Sequence, residues 1–563
     1  MLVMVLSMLA ACQNDNKDPE NTAAKTDVNT PATTPEQDAT QDDNQDEEPA
    51  NTTAAKGDDQ ETPSDELKIV NIGTTNSPSD LNPIDPGDSM STQLAYILYS
   101  PIVSLNNDLV YEPMLAESVT TEDNKTFTIK LRDAVWTDGE PVTADDVIFT
   151  IRFMCDPATN SMVTSNWRAV VGMDEEGRAA RDTDVDGVKK VDDKTVEITV
   201  KEAMSLNLFN DNLMKQLATV PEHIWKDFDP ANYQSEAEVL APTVTSGPLK
   251  LVAFKQDEVV EMEANDTFYF GAPKIDKVNF KIMQGTDFAV KFQTGELDMN
   301  MPMVGQIPAS DYDIVKGLDN VETSSGYPAT VQLLFMNNKL LTDNKIRQAI
   351  SYAIDRDLIV NEVLKGQGEA VDSFFTSFNP YRDPAYKNAE FDPELAKQLI
   401  EESEFDPATE IVFNVPTGNP TREQVAEVIA ENLKAVGLNV TIEKLDFPTT
   451  MAKAGEQDYG LTIMADTLVP TNPTFDLPFF LTTGNFNAYS SEEVDRIVNS
   501  IMAETDDDKI KELCYDLQKN IQEDVPMTVL YASLDLFVIS DRMVDAAVTD
   551  YGMFNHVEQW DVK

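Results

Sequence analysis

The sequence predicts an α/β fold for residues 67–563, preceded by an acidic leader with no core of its own. Three observations carry this. Glu423–Val436 is an amphipathic helical pattern ended by Gly437 and followed at once by the strand pattern Leu438–Leu445. An alternating strand, Thr126–Leu131, precedes a helix that opens at Thr143. The body has no apolar run approaching the roughly 20 residues needed to span a bilayer.

Taken in order, Leu67–Gly73 reads as an opening strand. In Thr126–Leu131 the apolar residues Phe127, Ile129 and Leu131 share one face, and Val135-Trp136 leads to an Asp138-Gly139 turn. The Thr143 hydroxyl can cap the first turn of the next helix while Asp146 reaches back to it. Thr195–Val200 is a further strand with Val196, Ile198 and Val200 on one side. A helix from Asp343 carries Ile346, Ala349, Ile350, Ala353 and Ile354 on one face. Another starts at Asp357 and stops before Gly366, a C-cap. There is no internal repeat.

The apolar run Met1–Ala11 ends in Leu9-Ala10-Ala11-Cys12, which resembles a bacterial lipobox. It is too short to span a bilayer and fits a signal-peptide core with small residues at the cut site. The run lacks a preceding Lys or Arg, as expected if the start codon lies upstream. Cys12 is then the lipidated first residue of the mature chain. Residues 13–66 contain no aromatic residue and one large aliphatic, Val28, with 16 acidic and 3 basic side chains. Such a segment cannot bury enough apolar surface to offset its ordering entropy. It reads as a disordered linker with a reach of roughly 40 Å.

The whole chain has a net charge of −58. Nucleic acid and anionic membrane surfaces are therefore poor partners. A solvated acidic surface accounts for this charge, and a cationic ligand is also compatible with it. The body's two cysteines, Cys155 and Cys514, each fall in register with apolar residues on a helical face and read as small core residues. The spacing offers no zinc site. The only histidines are His223 and His556, and no nucleophile elbow, phosphate loop or paired-histidine zinc motif is present. The chain is read as a non-enzyme.

Several blocks carry a family resemblance. They are Pro113-Met114-Leu115-Ala116-Glu117-Ser118 with Trp136–Gly139 and Val142–Val147, then Val220-Pro221-Glu222-His223-Ile224-Trp225. Ser246-Gly247-Pro248 with Asn265–Tyr269 follows, then Gly295-Glu296-Leu297-Asp298, and finally Arg347-Gln348-Ala349 with Ala353–Arg356. In this order they resemble the family 5 extracellular solute-binding proteins, the oligopeptide- and dipeptide-binding components of ABC importers.

The resemblance implies a two-lobed, periplasmic-binding-protein-like fold of type II, with an extra subdomain inserted in lobe one. It implies lobe one from residues 67–103, 239–325 and 531–563, the inserted subdomain from 104–238, and lobe two from 326–530. Crossovers are expected near Thr323–Tyr327 and Leu530–Ser533. It further implies a monomeric lipoprotein on the extracytoplasmic face of the cell membrane, which captures oligopeptides and delivers them to ABC permease subunits. The same fold binding an oligosaccharide or metal chelate, and a sensory surface lipoprotein, are the alternatives.

Peptide-binding relatives carry a strand ending in Ala-Asp whose aspartate meets the ligand's α-ammonium. Ile463, Met464, Ala465 and Asp466 match that strand end. The residues that follow, Thr467–Pro473, depart from the family's usual turn. Asp88 and Ser89 are expected at the cleft end of the first long helix, and Tyr531 near the second crossover. His223 falls in a block the family uses for packing or capping.

One pattern lies outside the family. Asp182, Asp184 and Asp186 alternate before Gly187, with Asp193 at the twelfth position. This is calcium-loop spacing, although the flanks read as loop and strand and the usual twelfth-position glutamate is absent. An acidic solvated loop satisfies the same residues. No other cofactor is implied.

Overall fold

The computed structural model describes residues 67–563 except positions 372, 388, 418, 475, 476, 483 and 484. The lipobox cysteine Cys12 and the linker 13–66 lie outside the described residues. Three large sheets organise the rest.

The strand Ile69–Thr74 forms where Val70 and Ile72 alternate with less buried neighbours, and both are fully buried. It runs parallel to Lys277–Ile282, with Val70 opposite Val278 and Ile72 opposite Phe280. These two strands lie inside a seven-stranded sheet edged by Val321–Ser325 and Leu249–Lys255. A six-stranded sheet centres on Thr330–Met336, flanked by Met527–Ser533 and Leu461–Thr467. A four-stranded antiparallel sheet is built from strands between Ala116 and Thr199.

The chain passes between the two larger sheets twice, at 326–329 and 534–535. Both passages leave paired strands: 321–325 pairs antiparallel with 536–540, and 330–336 with 527–533. The two crossings therefore form one short double connection between lobes.

Local sequence explains the helices. Thr143 and Asp146 form the reciprocal cap of Ala144–Met154. Asp343 caps Asn344–Ala353 by accepting from the Lys345 N–H. The following helix starts before the expected Asp357, because the Asp355 carboxylate accepts from Leu358 N–H and fixes the first turn there. Likewise Asn419 starts the helix Pro420–Ala435 ahead of Glu423, with proline tolerated in the first turn. Gly437 takes φ +97° beyond its end, which favours glycine.

Two main cores result. Val70, Ile72 and Phe280 share one with Phe127, Ile129 and Trp136, so the four-stranded and seven-stranded sheets pack on one continuous core. Leu334, Phe413 and Ile463 pack in the other against the helix residues Ile346, Ile350 and Ile429. Cys155 and Cys514 are buried free thiols.

The motif residues have structural work. Buried Arg347 donates to the carbonyls of Leu341 and Asp524, and buried Arg356 to that of Val529 and to Thr528 Oγ1. These bonds offset the cost of enclosing two cations; Arg347 ties its helix to the end of the helix Asp507–Asp524, and Arg356 ties its own to the strand at 527–533. A Cβ at Gly247 would lie 2.0 Å from the Ile97 carbonyl, so only glycine fits that approach. Among the described residues no helix is long and apolar enough to cross a membrane.

Candidate ligand-binding cleft

A cavity of about 780 Å³ lies between the two large sheets. Its size is within the range of small-molecule sites. The first helix contributes Gln93 and Tyr96, the strand 330–336 contributes Thr330 and Gln332, and the two crossings contribute Tyr327 and Asp535. Residues from both lobes and from their connection thus meet one space.

The strand Leu461–Thr467 reaches this space with one edge largely unpaired among the described residues. On one side it pairs with 330–336 along its whole length. On the other, Glu410–Pro416 pairs with it only at Leu461 and Thr462. The edge from 463 to 467 therefore has backbone groups to offer an added strand.

Ala465 and Thr467 line the cavity, and Asp466 lies between them on the open edge. Asp466 is half-buried and is not itself in the lining. Its Oδ2 is enclosed without a hydrogen-bond partner among the described residues. Burial pushes its carboxyl up to about 6. Two other carboxylates, unlike Asp466, do line the cavity. Burial also raises Asp535, and it raises Asp550 to about 6, with the neighbouring Asp535 charge adding to the effect. Asp550 accepts from the Tyr327 N–H at 2.6 Å, linking the C-terminal segment to the first crossing.

Tyr531 lines the cavity beside Gln332, 2% exposed, with burial pushing its phenol up to about 12. Ile463 is instead core of the second lobe, and Met464 is buried outside the lining.

Asp88 and Ser89 need correction. The Asp88 carboxylate caps its own helix, accepting from Ser91 N at 2.9 Å and Ser79 N at 2.7 Å. Neither residue lines the cavity; the helix presents Gln93 and Tyr96, one and two turns further on.

The calcium constellation is corrected too. Asp184 pairs with Arg152 at 2.5 Å and Asp193 with Lys190 at 2.8 Å. Among the described residues, no group of three or more potential ligands comes together to hold a metal ion. The alternating aspartates form an exposed acidic loop, with Asp182, Asp184 and Asp186 in solvent. His223 joins Asp138 at 2.8 Å, fastening the 138–139 turn to the helix Glu222–Trp225.

The sequence did not reveal a polar bridge at the cleft margin. Tyr111 Oη donates to Asp211 Oδ1 at 2.6 Å and lies 2.8 Å from Thr471 Oγ1. Asn472 Nδ2 donates to Asp211 Oδ2 at 2.9 Å. Asp211 and Asn472 are both almost fully buried. Burial opposes the Asp211 charge, but Lys215 and these hydrogen bonds outweigh it and hold the carboxyl below its usual range. Residues of the segment expected as an inserted subdomain are thereby bonded to the loop after the 461–467 strand.

Known proteins share this architecture. The model of the bacterial extracellular solute-binding proteins, family 5, matches residues 110–488. The oligopeptide-binding protein AppA of Bacillus subtilis is 25% identical over 507 residues, covering 86% of this chain and 89% of that one. Its structure, solved in complex with a nonapeptide, superposes with a TM-score of 0.68 at 22% identity, over 88% of this chain and 99% of that one. The substrate-binding protein CtaP of Listeria monocytogenes gives 0.76 at 23% identity with the same coverages. NikZ of Campylobacter jejuni, solved with Ni(L-His), gives 0.69 at 20% identity, again over 88% and 99%. These likenesses give the two-lobed fold of type II. Together with the match over most of its length, they place this chain in family 5 of the bacterial extracellular solute-binding proteins, the substrate-binding components of ABC importers.

Proposed function

We propose that the protein captures oligopeptides and passes them to an ABC permease. The observation that carries this is the open edge at 463–467, which runs beside the cavity with Asp466 on it. A peptide pairing along that edge binds through its backbone and leaves its side chains unread, which suits a receptor for many sequences. Its α-ammonium then comes within reach of Asp466. A dehydrated carboxylate with one oxygen still lacking a donor gains from a cation that it can pair with. Asp535 and Asp550 add negative charge to the same cavity.

The lobes close on the peptide about the connections at 326–329 and 534–535, with residues 104–238 as the inserted subdomain. The leader tethers the body to the extracytoplasmic face of the membrane through acylated Cys12, and the monomer meets its permease from there. Calorimetry with a series of peptides from two to nine residues tests the function. Binding of several unrelated sequences of one length supports it. Binding of a saccharide or a metal chelate, with no peptide bound, overturns it.

A further inference from the structure

The two crossings between the lobes set a pair of carboxylates together on the cavity wall. Asp535 belongs to the second crossing, and its backbone carbonyl accepts from the Gly326 N–H at 2.9 Å. The next amide of the first crossing, Tyr327 N–H, donates to Asp550 Oδ2 at 2.6 Å. Successive amides of one crossing therefore place both aspartates. A Cβ at Gly326 would lie 2.8 Å from Asp550 Oδ1 and 2.7 Å from the Phe537 ring, so glycine is what admits the carboxylate there.

Both side chains line the cavity, and among the described residues neither has a cation against it. Of the basic residues in the lining, Lys215 pairs with Asp211, and Arg422 has Tyr531 as its charged neighbour. Asp535 takes a hydrogen bond from the Gln306 side chain, which leaves its charge unbalanced. Burial works against both charges, and the Asp535 charge works further against Asp550. Like charges held together in a partly dry wall cost free energy until a proton or a ligand cation relieves them.

A separate observation asks for the same chemistry. Gln332 is 5% exposed and lines the cavity, and its Oε1 is enclosed without a hydrogen-bond donor. It lies two residues along the strand from Thr330, whose partner Ser533 comes two residues before Asp535. A buried acceptor left without a donor is costly in its own right. The wall therefore presents two carboxylates and an amide oxygen, acceptors all, to whatever enters. Beside Gln306, Ile307 lines the same cavity with Met303, which is 47% exposed. These apolar side chains offer a surface to an aliphatic stem.

A cationic head on such a stem answers the whole set. A guanidinium carries five donors in a planar fork, enough for both carboxylates and the amide oxygen. An ammonium supplies the charge with fewer donors. A divalent metal ion such as calcium fits less well, since it takes roughly six to eight oxygen ligands. Among the described residues no group of three or more potential metal-ligating side chains comes together.

We propose that Asp535, Asp550 and Gln332 form a subsite for a basic side chain of the bound ligand, best filled by arginine. This rests on the ligand being a peptide, and the group is distinct from the α-ammonium assigned to Asp466. The backbone edge at 463–467 leaves most side chains unread; this subsite reads one of them.

Calorimetry at pH 7.5 tests it with Arg-Ala-Ala, Ala-Arg-Ala and Ala-Ala-Arg. Each is compared with the same peptide carrying citrulline, the neutral isostere of arginine. The proteins are the normal chain, Asp535→Asn and Asp550→Asn, once circular dichroism shows that the variants fold. In the normal protein, arginine at one position binds roughly 10- to 100-fold more tightly than citrulline. That preference collapses in each variant, while the citrulline peptide binds all three proteins alike. Equal binding of arginine and citrulline at every position, or a preference that survives in either variant, overturns the subsite.

If none of the peptides binds, the peptide reading itself fails. The subsite is then judged by methylguanidinium, compared with tetramethylammonium at equal ionic strength. A rise in melting temperature specific to methylguanidinium and lost in both variants supports it. A rise that is absent, or that the variants keep, overturns it.

Discussion

Replacing Asp466 by asparagine changes one hydrogen-bonding atom and removes one charge. The carboxyl sits at about 6 against an ordinary 3.8, raised by burial. Keeping it ionised in the empty protein at pH 7.5 therefore costs on the order of 3 kcal/mol. The raised value makes the folded state bind more protons than the unfolded chain between these two values. Stability falls as pH rises through that window, and the full cost applies above about 6. Asp466→Asn removes the cost, so the empty variant melts higher than the normal protein at pH 7.5 and equally at pH 3.5. Ligand binding changes in the opposite sense. Loss of a buried partner for the α-ammonium costs about 3–5 kcal/mol, and an ordinary charge-assisted bond roughly 1.5–3. Peptide affinity should fall on the order of 10- to 1,000-fold. N-acetylating the peptide should cause a similar loss in the normal protein and little further loss in Asp466→Asn. Calorimetry on the four combinations reads the coupling directly. Fully additive losses, or an empty variant that is less stable at pH 7.5, would refute the assignment.

Three other outcomes follow from the same geometry. A lysine-containing peptide should bind more tightly as pH rises from 5 to 7, because Asp550, raised to about 6, must ionise to hold a cation; pH-independent binding in calorimetry contradicts this. Asn472→Ala removes the amide that donates to buried Asp211 across the cleft margin, so stopped-flow ligand release should quicken roughly 5- to 10-fold, and an unchanged off-rate excludes the bridge as a brake on opening. Cys12→Ser, expressed with the upstream codons restored, should move the protein from the membrane to the soluble fraction, since stable anchoring takes two acyl chains or more; retention in the membrane contradicts lipidation at Cys12.

Much of the fold was legible because local chemistry fixes it. The Thr143–Asp146 cap, the Asp343 cap and the Gly437 stop all depend on side chains within a few residues of the elements they bound. The boundaries that moved did so where two caps compete: Asp355 lies before Asp357, and Asn419 before Glu423. The cleft was legible only in part. Ala465 and Tyr531 were found on its wall, whereas Asp88 was spent on its own helix.

Gln332, Asp535 and Asp550 were missed because their meeting depends on strands and crossings far apart in sequence. Arg422 also lines the cavity, from the first turn of the helix Pro420–Ala435, and was missed for the same reason. The calcium spacing misled because alternation along the chain says nothing about Arg152 and Lys190, which draw off Asp184 and Asp193.

The most direct test of peptide capture is to identify what the protein carries. The protein should be purified without denaturant from cells grown in peptide-rich medium, then unfolded, and the released small molecules analysed by mass spectrometry. Peptide capture requires peptides of a narrow length range and varied sequence, with free amino termini, present in the normal protein and depleted in Asp466→Asn. A single non-peptide solute, retained equally by both proteins, would contradict it.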